Sequence, residues 1–152
     1  LSPLSEEERV EILQDPGFGK VFTDHMVSID WTEDKGWHNA QVRAYGPVTL
    51  DPASNVFHYG QAIFEGLKAY RHTDGSITAF RPEQNAKRMK NSAHRMAMPE
   101  LPEEIFLEAV RQLRGEAHPK VQVKNCDLAI AHGTGGLLGV RHAASTCILE
   151  RA

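Results

Sequence analysis

Three arginines recur every seven residues in this chain: Arg81, Arg88 and Arg95. On a helix that spacing brings them to one side. A guanidinium presents a rigid fork of donors that matches a phosphate or carboxylate through two parallel hydrogen bonds. Arg88 is therefore a candidate anion ligand, against the plainer alternative of a solvated basic face. Just upstream runs His58 to Tyr70, HYGQAIFEGLKAY, with aromatic rings, an acid and a lysine close together. Phe18, Tyr59 and Phe64 are candidate walls for an apolar ligand, and core aromatics by default. Glu65 reads as a surface or capping acid. Lys68 has the chemistry to form a Schiff base, but nothing near it in sequence argues for desolvation. His132, beside Gly133-Thr134-Gly135-Gly136, suits either a base near an oxyanion donor or the plain end of a strand.

Positioning these residues requires strands and helices whose signals are present. Ser5 followed by Glu8 reads as a capping box opening a short helix, which Pro16-Gly17 stops. Val27, Ile29 and Trp31 alternate with Ser28 and Asp30, the period of a half-buried strand. A charged turn, Glu33 to Gly36, leads to a second strand at about Ala40 to Tyr45, and Val48 to Leu50 is a further short extended piece. Around Tyr59 to Glu65 the pattern suits a short helix or turn, because Gly60 and Gly66 weaken a longer one. A strand follows from Gly66 to Arg71, then a tight turn at Asp74-Gly75 and a return strand from Ser76 to Phe80. Pro82 suits the first turn of a helix with an apolar stripe of Ala86, Met89, Ala93 and Met96, ended by Pro99. Pro102 starts another, with Ile105, Phe106, Ala109, Val110 and Leu113 on its buried face. The pattern is an α+β layered fold: an antiparallel sheet with helices packed on it. Beyond Leu113 the character changes. Lys120 to Lys124 alternates weakly, Asp127 to Ala131 is an apolar strand, and Ala144 to Leu149 is a closing strand, making a short β-containing tail.

Composition narrows the function classes. The 152 residues carry a net charge of −3. Residues 1–113 hold 12 Lys/Arg against 17 Asp/Glu, and residues 114–152 hold 5 against 3. Neither part has the concentrated basic surface that a nucleic-acid partner needs. No run of about 18 apolar residues suggests a membrane span, and the acidic start lacks a signal-peptide pattern. Cys126 and Cys147 form neither a CxxC motif nor a disulfide framework, so a reducing, cytoplasmic compartment is expected. The 8 histidines are scattered, with no pair at ligand spacing, so no metal site is expected.

FGKVFTDHM (Phe18 to Met26), HYGQAIFEGLKAYR (His58 to Arg71), FRPEQNAKRMKNSAHRM (Phe80 to Met96) and PELPEEIF resemble the branched-chain amino acid aminotransferases, fold-type IV enzymes that use pyridoxal phosphate. The resemblance runs in order from about Phe18 to Leu113. It implies that residues 1–113 form the family's small N-terminal domain. It further implies that Arg88 binds the cofactor phosphate and that Phe18, Tyr59 and Phe64 line the branched side-chain pocket. The substrates it implies are Leu, Ile and Val with 2-oxo acids, 2-oxoglutarate among them. In the family the tyrosine of the HYG segment reaches the neighbouring subunit's pocket, which implies a homodimer.

Two departures from the family bear on activity. The lysine that holds the cofactor covalently lies in the family's larger second domain, and no lysine here matches it. No catalytic residue is assigned, and the chain alone is expected to be inactive. The second departure is the tail, residues 114–152. QLRGEA and DLAIAHGTGGLLGVRHAASTCILER resemble the C-terminal end of thiolase-like enzymes, which implies a chimera joined near Leu113. In active thiolases a cysteine precedes the glycine-rich loop. Here His132 stands there, so the resemblance does not extend to thiolase catalysis. Two alternatives differ in class: a non-enzymatic remnant that pairs with a full-length aminotransferase, and an acyl-CoA protein of thiolase type.

Overall fold

The computed structural model describes residues 5–12, 14–15, 24–113, 126–135 and 142–150. Its first element, α1 (Glu6–Ile12), opens with the expected reciprocal cap. Glu8 N–H donates to Ser5 Oγ at 3.2 Å, while Ser5 N–H donates back to Glu8 Oε2 at 3.0 Å. The Ser5 hydroxyl, donating to Glu8 Oε2 at 2.7 Å, and then the Ser5 N–H hold the Glu8 carboxyl below the usual carboxylate range.

The strands β1 (His25–Thr32) and β2 (Gly36–Ala44) pair antiparallel across a turn closed by Gly36 at φ 66°. Their register slips between Ser28 and Asp30. Asn39 sits opposite the slip at φ 52°, and its amide donates to Asp30 Oδ2 at 2.7 Å. Asn tolerates that left-handed conformation better than most residues, so it suits a bulge. The second strand begins earlier than the sequence suggests, at Gly36. Val48 to Leu50 forms no strand.

A five-residue helix, α2 (Asn55–Tyr59), ends at Gly60 in the left-handed conformation. That cap corrects the sequence expectation. The helix lies before Gly60, and the strand β3 (Ala62–Arg71) starts at once instead of at Gly66. Residues 62–70 then alternate, with Ile63, Glu65, Leu67 and Ala69 buried and Ala62, Phe64, Lys68 and Tyr70 exposed. The hairpin to β4 (Ile77–Ala79) turns at Asp74-Gly75, as its sequence predicts. Gly75 takes φ 84°, and the Asp74 carboxylate accepts from Ser76 N–H at 2.9 Å and from its hydroxyl at 2.7 Å. Those bonds lower the Asp74 pKa.

Two helices cover one face of the sheet: α3 (Pro82–Arg95) and α4 (Glu103–Leu113). Ala86, Met89 and Ala93 are buried as the stripe predicts, but Met96 is 38% exposed. The reason is the end of α3. Ala97 turns the chain at φ 52°, and Met98 N–H donates to Ala93 C=O at 2.9 Å. This closure sends Met98, not Met96, into the core. Phe106, Val110 and Leu113 of α4 lie beneath, against Val27 and Ile29 of β1 and Ile63 and Leu67 of β3. Trp37 pins the start of β2 to the link between the helices, its indole N–H donating to Glu100 C=O at 2.8 Å.

The remaining strands, β5 (Cys126–Gly135) and β6 (His142–Glu150), pair with each other and enter the middle of the same sheet. The order is β2-β1-β6-β5-β3-β4, antiparallel throughout. Ala131 to Gly135 continues β5, so the first part of the expected glycine-rich turn is strand. Among the described residues no helix is long and apolar enough to cross a membrane. Among them, too, no three His, Cys, Asp or Glu side chains converge as metal ligands would. The architecture is the expected α+β one: a helix layer on an antiparallel sheet.

Candidate functional site

Arg88 lies two turns into α3, and the site is built around what holds it. Its Nε–H donates to Glu65 Oε2 at 3.1 Å and its Nη2 donates to Oε1 at 2.7 Å. This is a fork-to-fork pair between a helix and a strand. The Glu65 side chain is almost wholly buried (8% exposed), whereas that of Arg88 is 62% exposed. Glu65 thus sits beneath the guanidinium, which reaches solvent above it. The hydrogen bonds to Glu65, and then its charge, raise the Arg88 pKa further.

A second donor steadies the acid. Asn85 Nδ2 donates to Glu65 Oε1 at 2.9 Å and to Gly66 C=O at 2.8 Å. Gly66 N–H adds a third bond to the same carboxylate oxygen at 3.1 Å. A buried carboxylate is tolerated only when it is paired and hydrogen-bonded, and here every bond comes from β3 or α3. Alternation places Glu65 inside: it shares the face of Ile63, Leu67 and Ala69. The sequence suggests a helix or turn here, and hence a surface acid; the strand that starts at Ala62 instead turns Glu65 inward.

Above this pair lies a cavity of about 510 Å³ lined by Leu67, Lys68, Tyr70, Phe80, Arg81, Gln84, Asn85 and Arg88. Three of these are cations, so the lining itself favours an anion. Arg81 caps α3 at φ 47°, a conformation that costs a non-glycine residue roughly 1–2 kcal/mol. Arg81, Gln84, Asn85 and Arg88 are three, four and seven residues apart, the spacing of one helix face. That spacing was the signal by which Gln84 and Asn85 could have been found. Arg95, the third arginine of the heptad, does not line this cavity. The remaining donors of Arg88, those on the Nη1/Nη2 edge, suit a phosphate or carboxylate there.

The aromatic candidates lie elsewhere. Tyr59 ends α2 with 70% of its surface exposed, and Phe64 stands on the open face of β3 with 67% exposed. Phe57 joins them at 63%, so a group of rings is uncovered near the start of β3. Neither Tyr59 nor Phe64 lines the cation-rich cavity. Phe18 lies outside the described residues, as does the side chain of His132. Lys68 lines the anion cavity, exposed beside buried Ala69. A second cavity of about 510 Å³ lies between the β1–β2 pair and α4. Val27, Ile29, Trp37, Val42 and Ile105 make it mainly apolar, with Glu104 and Glu108 on the helix side.

Comparison with known proteins gives two different signals along the chain. A branched-chain-amino-acid aminotransferase of Mycolicibacterium smegmatis is 64% identical over 112 residues, 74% of this chain and 30% of that protein. One from Mycobacterium tuberculosis is 56% identical over 113 residues, 74% of this chain and 31% of that protein. The branched-chain-amino-acid transaminase 1 of Bacillus subtilis is 58% identical over 97 residues, 64% of this chain and 27% of that protein. The chain therefore spans about 30% of the length of the relatives it matches. Residues 104–151 match a different family, described as thiolase C-terminal domain-like. Among solved structures, a Thermobaculum terrenum branched-chain amino acid aminotransferase in its pyridoxal-phosphate form superposes with a TM-score of 0.62 at 18% identity. It covers 84% of this chain and 39% of that one. The Escherichia coli enzyme gives 0.60 at 17%, over 82% of this chain and 40% of that one. These two likenesses establish the shared fold.

Proposed function

Because some three-quarters of this chain is close in sequence to branched-chain-amino-acid aminotransferases, we propose that it supplies the small-domain part of a pyridoxal-phosphate-dependent transaminase. The substrates are the branched-chain amino acids and their 2-oxo-acid partners. Residues up to Leu113 carry this role, and the segment after them contributes β5 and β6, which join the β1–β2 and β3–β4 pairs into one sheet.

The observation that carries the proposal is the Glu65-held Arg88 at the cation-rich cavity. A phosphate monoester is a near-dianion at neutral pH, and Arg88 offers it a charge-assisted pair of donors. Arg81 and Lys68 add positive charge around it, and Gln84 adds a neutral polar side chain. The residues present thus fit the cofactor's phosphate. When bound, pyridoxal phosphate supplies an electron sink for charge developing at the substrate's α-carbon. The work of this chain is to grip and orient the phosphate end. Tyr59 and Phe64, with Phe18, provide an apolar wall that suits a branched aliphatic side chain. The exposure of Tyr59 and Phe64 in the single chain supports pairing with a second subunit, as a homodimer.

Pyridoxine 5′-phosphate tests the phosphate role without the aldehyde that reacts with surface lysines. Titration calorimetry of the full chain is expected to show it binding about 100-fold more tightly than pyridoxine. The preference is expected to shrink as salt rises. Equal binding of the two compounds would sink the proposal.

The thiolase-like match over residues 104–151 supports a second reading, acyl-CoA binding. We favour an architectural role for this segment, because β5 and β6 are hydrogen-bonded between β1 and β3 in the aminotransferase-like sheet.

A further inference from the structure

Glu65 is the charged group that the phosphate-binding role leaves unexplained. It does not line the cavity, yet it takes two donors of Arg88 and one of Asn85. Burying a carboxylate costs folding free energy, and an apolar residue at this position would pack against Ile63 and Leu67 without that cost. What the acid adds is direction. It occupies the Nε/Nη2 edge of the guanidinium, so the Nη1/Nη2 edge is turned away from it. A long side chain that is 62% exposed would otherwise sample many rotamers.

We propose that Glu65 is a positioning residue: it holds the Arg88 fork in the phosphate-binding orientation, and Asn85 holds Glu65 in turn. The proposal rests on the phosphate reading of Arg88 given above. Glu65 touches no ligand and acts through the arginine alone.

Two effects of removing the Glu65 charge oppose each other, and their signs differ. By charge alone, Glu65→Gln removes a negative group beneath the cavity and should tighten an anion. By positioning, the same change frees the guanidinium and should weaken it, because the ordering now has to be done on binding. The second effect is taken to dominate. A carboxamide offers Arg88 one acceptor oxygen where the carboxylate offers two, so the fork-to-fork pair is lost.

The test measures pyridoxine 5′-phosphate and pyridoxine affinity by calorimetry in the full chain and its variants. Glu65→Gln is expected to weaken the phosphate ester about tenfold and to leave pyridoxine unchanged. In an Arg88→Ala background it is expected to have no further effect on the phosphate preference. Unchanged or tighter binding in Glu65→Gln overturns the proposal, as does an equal loss in the Arg88→Ala background. If the unmodified chain itself shows no phosphate preference, the phosphate reading fails and this proposal with it. A second measurement needs no variant at Glu65. The Arg88 Nε–H resonance, assigned by its loss in Arg88→Lys, is expected to exchange slowly with water and to show hindered guanidinium rotation before any ligand is added. Free rotation there overturns the proposal whether or not Glu65→Gln folds.

Discussion

Arg88→Ala is expected to remove the preference for pyridoxine 5′-phosphate over pyridoxine, a loss of about 100-fold in the affinity of the phosphorylated compound. The change removes the charge and the fork together. It also strands Glu65, a buried carboxylate whose remaining donors are Asn85 and the Gly66 amide. The variant is therefore expected to melt at a lower temperature than the unmodified chain. Arg88→Lys separates the two losses. It keeps the charge near Glu65 but offers a compact ammonium, so its affinity should fall between the two, with most of its stability retained. Calorimetry and thermal denaturation, run on all three proteins, read both quantities. An alanine variant that still discriminates the phosphate would place the anion site elsewhere.

The second large effect is on stability. Phe106 is 1% exposed and sits where α4 meets the sheet, in the same core as Met89, Val110 and Leu113. Phe106→Ala leaves a cavity between rigid elements, because α4 is flanked by α3 on one side and β1 below. A buried Phe→Ala change costs about 3–5 kcal/mol. Against a typical total of roughly 5–15 kcal/mol, that is a large share. The expected result is a fall in melting temperature of about 10 °C or more. Urea denaturation gives the free-energy change directly, and a loss under about 1 kcal/mol would mean that α4 does not pack as described.

What could be read in the sequence divides along the range of the interactions. The Ser5–Glu8 cap and the Asp74-Gly75 hairpin were legible because each is complete within a few residues. The faces of α3 and α4 were legible from periodicity, which correctly placed Ala86, Met89, Phe106 and Val110 inside. Met96 was misplaced because α3 stops one residue before it, and the backbone closure at Ala97 then turns Met98 inward. The start of β3 was misread because Gly60 and Gly66 look alike as letters. One caps a helix in a left-handed conformation; the other lies within a strand. That error hid Glu65, since a strand beginning at Ala62 puts it on the core face, where an acid needs a partner. The order of the sheet was not legible at all. Pairing of β6 with β1 joins residues more than a hundred positions apart, and no local pattern specifies it. For the site, the heptad of arginines pointed to Arg88, but its geometry depends on Asn85 and Glu65, which are ordinary residues until the helix and strand meet.

The most direct test of the phosphate site is to map where the ligand lands. Two-dimensional NMR of the labelled chain, titrated with pyridoxine 5′-phosphate, should show its largest shifts from Arg81 to Arg88, in Lys68 and at the Arg88 Nε–H. Pyridoxine alone should leave those signals in place. Shifts centred instead on Trp37 and Ile105, in the apolar cavity beside α4, would contradict the assignment of Arg88 as the phosphate ligand.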